Sequence, residues 1–366
     1  MPPTVQHTLF LVHGVGLHPA DTWAQPVIQK LEEVAARYPS FQETPLSQFV
    51  RYVPINYDLF FEGAITRWAN EGGAFAEFAA RNELIDAADL SWIGALQGED
   101  LKFFRECFVD VILYRFFKLE QNRIQDNVKR DFAKAISAQL ERSSESVFSV
   151  LAHSLGCAVA HDSLHELAQS TLGGTPNALS ARNFGFKSIH MLANTSRLLQ
   201  TRVKAYESSV HPGPKDGVKN YCQRYYDYRH ECDPIVLVRR FEPTWSEDYF
   251  TQRVVRHYRS WDIHAFRHYL DNPRVHVPIL TQLAGSSAIT RGEYTQAVAA
   301  YDQFGGDFAF VPSIRGKIGQ LAALQAQLHE DSKLEGMFQA SLQMFAILRS
   351  IYAELKAIHP DMEKEF

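Results

Sequence analysis

Apolar residues fall in short unbroken runs along much of this chain. Thr8-Leu9-Phe10-Leu11-Val12 is the first, and it ends in His13-Gly14-Val15-Gly16. A continuous run of this length, closed by glycines, predicts a strand buried on both faces of a parallel sheet and leading into a tight loop. Val27, Leu31 and Val34 recur at helical spacing and predict a helix over about Pro26 to Arg37. Phe49-Val50-Arg51-Tyr52-Val53-Pro54 reads as a second strand. From about 59 to 140 the pattern changes. Phe103, Phe104, Phe108, Leu113, Phe116 and Phe117 follow a helical period in a Phe- and Trp-rich stretch that Asn70-Glu71-Gly72-Gly73 punctuates. Two readings are open for it: a buried helical layer, or a lid over an apolar pocket.

The alternation then resumes. Ser146-Val147-Phe148-Ser149-Val150-Leu151 predicts a strand running into Ala152-His153-Ser154-Leu155-Gly156 and a helix through about Leu167. Phe186 to Leu192 is a further strand, and Tyr221 to Tyr228 another, which leads to Arg229-His230-Glu231-Cys232-Asp233-Pro234. Strands that alternate with helices predict an α/β fold with a doubly wound, mostly parallel sheet. Beyond Pro278 the chain reads as helices to its end. Leu334, Met337, Leu342, Phe345, Leu348 and Ile351 form an apolar stripe there, suited to capping the core or to joining copies in a homo-oligomer. The expected organisation is a core over 1–278, with a helical, lid-like insertion at about 59–140, and a C-terminal helical extension over 279–366. The 366 residues exceed an average domain but suit one enlarged α/β domain.

Composition narrows the function classes. Lys and Arg total 37 against 42 Asp and Glu, a formal net charge of -5, which gives no footing for nucleic acid. The opening residues lack a basic region, and their apolar run is too short for a signal peptide or a membrane span. The expectation is a cytoplasmic protein without a transmembrane segment, in which the Asn194-Thr195-Ser196 sequon stays unmodified. Cys107, Cys157, Cys222 and Cys232 make no C-x-x-C pair and no Cys/His ladder, so reduced thiols are expected and no metal. HExxH and GxxxxGK[ST] motifs do not occur.

One motif carries chemistry. Ser154 sits between a predicted strand and a helix that opens with small residues, the setting of a nucleophile elbow. A serine on so sharp a turn needs small residues two before and two after it, here Ala152 and Gly156. Ala152 departs from the G-x-S-x-G pattern by one methyl group.

On these residues the chain resembles the α/β-hydrolase superfamily, in its lipase-like or serine-esterase-like branch. The resemblance rests on Leu11-Val12-His13-Gly14-Val15-Gly16, Ala152-His153-Ser154-Leu155-Gly156, His230-Glu231-Cys232-Asp233-Pro234 and the segment around His264, and spans roughly 8–276. It implies a Ser-His-Asp triad: Ser154 as nucleophile, Asp233 as acid after a late strand, and His264 as base on a loop after the last strand. Asp227 and Asp216 compete for the acid, and His268 and His257 for the base. Tyr269, shortly after His264, fits the pattern. The resemblance also implies an oxyanion hole from the backbone N–H groups of Val15 and Leu155, with His13 and His153 as packing or polar supports. The implied activity is hydrolysis of a small-molecule or lipid-like acyl ester, without cofactor, falling below about pH 6 as the imidazole protonates. Acyl transfer, thioester or amide cleavage, and a non-catalytic binding protein on the same fold are the alternatives.

Overall fold

The computed structural model of the chain describes residues 7–14, 22–57, 118–172, 175–199, 206–214, 220–231, 233, 236, 240–258, 264–304, 306–307, 312–327 and scattered helical positions between 340 and 357. Its centre is one six-stranded sheet. The strands are β1 (His7–Val12), β2 (Val50–Ile55), β3 (Val147–His153), β4 (Phe186–Leu192), β5 (Cys222–His230) and β6 (Phe250–Val255). They lie in the order β2-β1-β3-β4-β5-β6, and every neighbouring pair is parallel. The expected parallel α/β sheet is present, with helices against both faces.

The strand centres are rich in apolar residues because both sides of the inner strands are covered. All six residues of β1 are buried. Phe10, Val12, Val150, Ile189 and Met191 point to one face. They pack there with Ile124, Val128 and Phe132 of α2 (Lys118–Arg142) and Val159 and Leu164 of α3 (Leu155–Ala168). Leu9, Leu11, Leu151, Leu192, Tyr226 and Tyr228 point to the other face. They meet Leu31 and Ala35 of α1 (Gln25–Ala35) and Val275, Ile279 and Leu280 of α5 (Pro273–Ala284). Each fully buried Leu or Phe contributes roughly 2 kcal/mol of transfer free energy. The edges differ from the centre. β2 exposes Arg51 and Pro54, and β6 exposes Arg253 and Val254. A proline and charges on an outer strand discourage pairing with another chain.

Polar residues thread the second face in a hydrogen-bonded row. His7 Nε2 meets Ser149 Oγ at 2.9 Å, Ser149 meets Ser188 Oγ at 2.8 Å, and Ser188 meets His190 Nε2 at 3.0 Å. His190 Nδ1 meets the Tyr228 hydroxyl at 3.1 Å. Buried polar atoms are tolerated when satisfied in this way.

Several expectations shift. The helix predicted over Pro26 to Arg37 spans Gln25–Ala35, with Pro26 in its first turn. The core boundary at 278 falls inside α5, which carries Pro278 within it. The region beyond is not helical throughout: after α6 (Arg291–Phe304), Gly306–Asp307 pairs antiparallel with His257–Tyr258, and α7 (Pro312–Gln327) follows. The apolar stripe falls mostly outside the described residues, though Met344 and Ile351 are buried. The aromatic stretch from 59 to 117 lies outside them altogether. The part from Lys118 onward is a layer helix, held to the sheet by Ile124, Val128, Phe132 and Ile136 at four-residue spacing. Cys157 and Cys222 are free and buried. Among the described residues, no helix is long and apolar enough to cross a membrane.

Candidate active site

Strand order reverses between β1 and β3: β2 lies outside β1, and β4 to β6 lie outside β3. At such a switch point the loops leaving the carboxyl ends of adjacent strands diverge and open a crevice. His13-Gly14 leaves β1 there, and Ser154 leaves β3.

Ser154 links β3 directly to α3 with φ 53° and ψ -124°, a left-handed backbone in a residue that is not glycine. Such a conformation costs about 1–3 kcal/mol and persists only where the surroundings enforce it. They do so here. The Ser154 N–H donates to Leu192 O at 2.9 Å. Its carbonyl accepts from the Cys157 N–H at 2.9 Å and the Thr195 hydroxyl at 2.7 Å. Ala152 sits in register between Val12 and Met191, fully buried, so the methyl in place of glycine fits. Gly156 cannot carry one: a Cβ there would lie 2.0 Å from His13 O. Gly14 is equally constrained, because its Cβ would meet His153 Nδ1 at 2.8 Å and Ser154 Cβ at 3.1 Å. The loop after β1 thus runs directly beside the serine.

His264 bridges the serine and an acid. Its Nε2 is 2.8 Å from Ser154 Oγ, and its Nδ1 is 2.8 Å and 3.0 Å from Asp233 Oδ2 and Oδ1. A carboxylate only accepts, so Nδ1 carries the proton and Nε2 presents its lone pair to the Ser154 hydroxyl. Asp233 is fully buried. Burial alone would raise its pKa, but His264 and then the Tyr269 hydroxyl hold it below the ordinary carboxylate value. Ser154 is 2% exposed and His264 7%, so these contacts operate in a nearly dry setting, where they are stronger than in water.

The supports are histidines and aromatics. His153 Nε2 donates to the carbonyl of His264 at 2.6 Å. His13 stacks on Tyr57 at 4.0 Å and meets Trp23 edge-on at 4.8 Å. The Tyr57 hydroxyl donates to His13 O at 2.6 Å. Neither His13 nor His153 occupies the place of a base.

The competing candidates lie elsewhere. His268, on α4 (Phe266–Asp271), is buried edge-on to His230 at 5.2 Å, and burial pushes its pKa down to about 4. His257 faces Asp302 at 3.5 Å. Asp227 is buried on β5, accepts from Asn194 and Gln252 at 2.9 Å each, and is pushed up to about 6 by burial. Asp216 and Val15 fall outside the described residues. Leu155 begins α3, where a first-turn N–H has no intrahelical acceptor and the helix terminus favours negative charge. Sequence reasoning missed the grip of Thr195 on the serine carbonyl. No local signal marks it, since the bond spans 41 positions.

A cavity of about 600 Å³ lies between the segment after α1 (37–39), α5 and α6, lined by Arg37, Tyr38, His276, Glu293 and Tyr301 among others; Ser154, Asp233 and His264 do not line it. Among the described residues, no group of three or more His, Cys, Asp or Glu side chains is arranged to hold a metal ion. Comparison of the chain with protein-family models, curated proteins and solved structures returns no match.

Proposed function

We propose that this protein is a serine hydrolase of the α/β-hydrolase type that cleaves carboxylic esters by way of an acyl-enzyme. One observation carries the reading: a strained serine whose hydroxyl lies 2.8 Å from an imidazole that a buried carboxylate orients. A free serine hydroxyl is a poor nucleophile at neutral pH, and this arrangement is what activates it.

The steps follow from the hydrogen-bond polarity. His264 Nε2 takes the Ser154 proton as Oγ bonds to the substrate carbonyl carbon. Asp233 stabilises the imidazolium that forms. The carbonyl oxygen becomes an oxyanion beside the N–H of Leu155, with Val15 as the proposed second donor. The carbon–oxygen bond to the alcohol then breaks, and the alcohol leaves with the proton from Nε2. Water adds by the same route, which frees the acid and restores Ser154.

Esters are the proposed substrates because the Phe- and Trp-rich sequence before Lys118, from about 59 to 117, would supply an apolar acyl site. Two measurements test the reading: labelling by a fluorophosphonate probe, and hydrolysis of a chain-length series of p-nitrophenyl esters. Wild type should label and hydrolyse, and Ser154→Ala, folded normally, should do neither. A wild type inert to both would refute it.

A further inference from the structure

We infer that Tyr269 is a positioning residue for Asp233, its phenol setting how strongly the carboxylate supports His264 as a base. This deepens the hydrolase reading and rests on it.

Tyr269 is fully buried on α4, the helix that follows His264. Its hydroxyl donates to Asp233 Oδ2 at 2.7 Å, the same oxygen that receives His264 Nδ1 at 2.8 Å. The hydroxyl in turn accepts the backbone N–H of His230, at the end of β5, at 2.9 Å. The phenol therefore ties three parts together: the last residue of β5, the acid three residues beyond it, and the helix after the base. A tyrosine hydroxyl has one proton to give, and the His230 N–H can only donate, so that proton is directed at the carboxylate. Burial holds the Tyr269 phenol well above its ordinary pKa, and it remains a donor across the working range.

The Val236 N–H reaches Asp233 Oδ1 at a longer 3.5 Å. On Oδ2 the carboxylate's charge is thus shared between two donors, His264 and Tyr269. Removing one concentrates negative charge on the bond to His264, which stabilises the imidazolium and raises the pH at which the base is neutralised. Among the described residues, the other ionisable groups that face the pair include His153 on β3, Asp227 and His230 on β5 and His268 on α4; Asp227 acts on the Tyr269 phenol and is pushed up to about 6 by burial. Burial drives His230 and His268 down to about 3 and about 4, so both stay uncharged near neutral pH.

Tyr269→Phe keeps the ring and deletes the hydrogen bond. In this variant the carboxylate loses its tie to β5 and orients His264 less precisely, so kcat/KM for a p-nitrophenyl ester should fall about tenfold, while the charge concentrated on His264 should move the acid limb of its pH profile up by about half a pH unit. Tyr269→3-fluorotyrosine strengthens the donor, and its limb should move the opposite way. A purely structural role would lower the rate without moving the limb. Titration of the His264 ring protons by NMR, assigned against His264→Asn, reads the same shift in protein that turns over no ester. If wild type hydrolyses nothing but the His264 titration still moves, the hydrolase reading fails and the positioning stands. Superimposable His264 titrations in wild type and both variants overturn the role of Tyr269. Should Tyr269→Phe not fold, the fluorotyrosine variant decides alone.

Discussion

Among the described residues, two serine hydroxyls meet imidazoles beside α3, and only one has the surroundings that the proposed chemistry needs. Ser154 Oγ meets His264 Nε2 at 2.8 Å; Ser208 Oγ meets His161 Nε2 at 2.5 Å. The second is the shorter of the two. His161 Nδ1, however, has no hydrogen-bond partner among the described residues, so no described carboxylate backs that ring. Burial drives its pKa to about 3, far too low for a useful base near neutrality. Ser208 also accepts the Val210 N–H at 3.1 Å, which makes it a brace for its own loop. Ser154 sits on a left-handed backbone at a strand's end, beside a glycine loop and a helix start. Proximity of a hydroxyl to an imidazole is common in a folded chain. A carboxylate behind the ring and a strained backbone beneath the serine separate a reactive pair from a structural one.

The comparison breaks most sharply at the serines. Ser154→Ala should lower ester turnover on the order of 10⁵–10⁶-fold, while Ser208→Ala should leave kcat/KM within about twofold. Fluorophosphonate label recovered on Ser208 by peptide mass analysis would reverse the two roles. The acids come next. Asp233→Asn should lower kcat about 10⁴-fold, the size of the corresponding change in the Ser-His-Asp template, because the amide favours the wrong imidazole tautomer. Asp227→Asn should retain most activity, since Asp227 touches neither His264 nor Ser154; steady-state rates of the two variants side by side measure the contrast.

Buried histidines of the His161 kind set the acid limit of the fold. His7, His161, His190, His230 and His276 are pushed to about 3 and His268 to about 4, in each case first by burial. Unfolded, each would titrate near 6.5, so between there and its folded value the unfolded chain binds more protons. The stabilisation is complete above about pH 6.5 and declines as pH falls, by up to about 1.4 kcal/mol per pH unit for each histidine. Asp227, raised to about 6, opposes this as a single group. Circular dichroism should show cooperative unfolding between about pH 6 and pH 4.5. A fold intact at pH 4 would mean that these rings are not buried as described. The smallest effect concerns the turn itself. Gly156→Ala, driving a methyl against His13 O, should destabilise the protein by about 2 kcal/mol or more in thermal melts.

Much of this was legible in the residues. The centre of the sheet could be read because β1, β3 and β4 are covered on both sides and so carry mostly apolar residues, with small or paired polar ones among them. The edge strand β6, Phe-Thr-Gln-Arg-Val-Val, could not, because its middle faces outward and carries polar side chains. The pairing of Gly306–Asp307 with His257–Tyr258 escaped for another reason: two residues leave no periodicity to detect. Ser154 was marked by the small residues its turn demands. Asp233 and His264 carry weaker local marks, a following Pro234-Ile235 and a following Tyr269, and the order implied by the resemblance was needed to prefer them to Asp227 and His268. The bond from Tyr269 to Asp233 spans 36 positions, and a sequence has no means of recording where a phenol ends.

The backbone at position 154 also bears on how the molecule would answer to selection. With φ at 53°, the site favours a residue without Cβ, and glycine would relax it by about 1 kcal/mol while deleting the one reactive atom there. On the hydrolase reading, a population bred only to survive heating has an easy route through this position, and a variant that takes it gains stability and gives up turnover. Screens for thermal tolerance on this scaffold therefore need a turnover requirement running alongside, or they will harvest the catalytically dead.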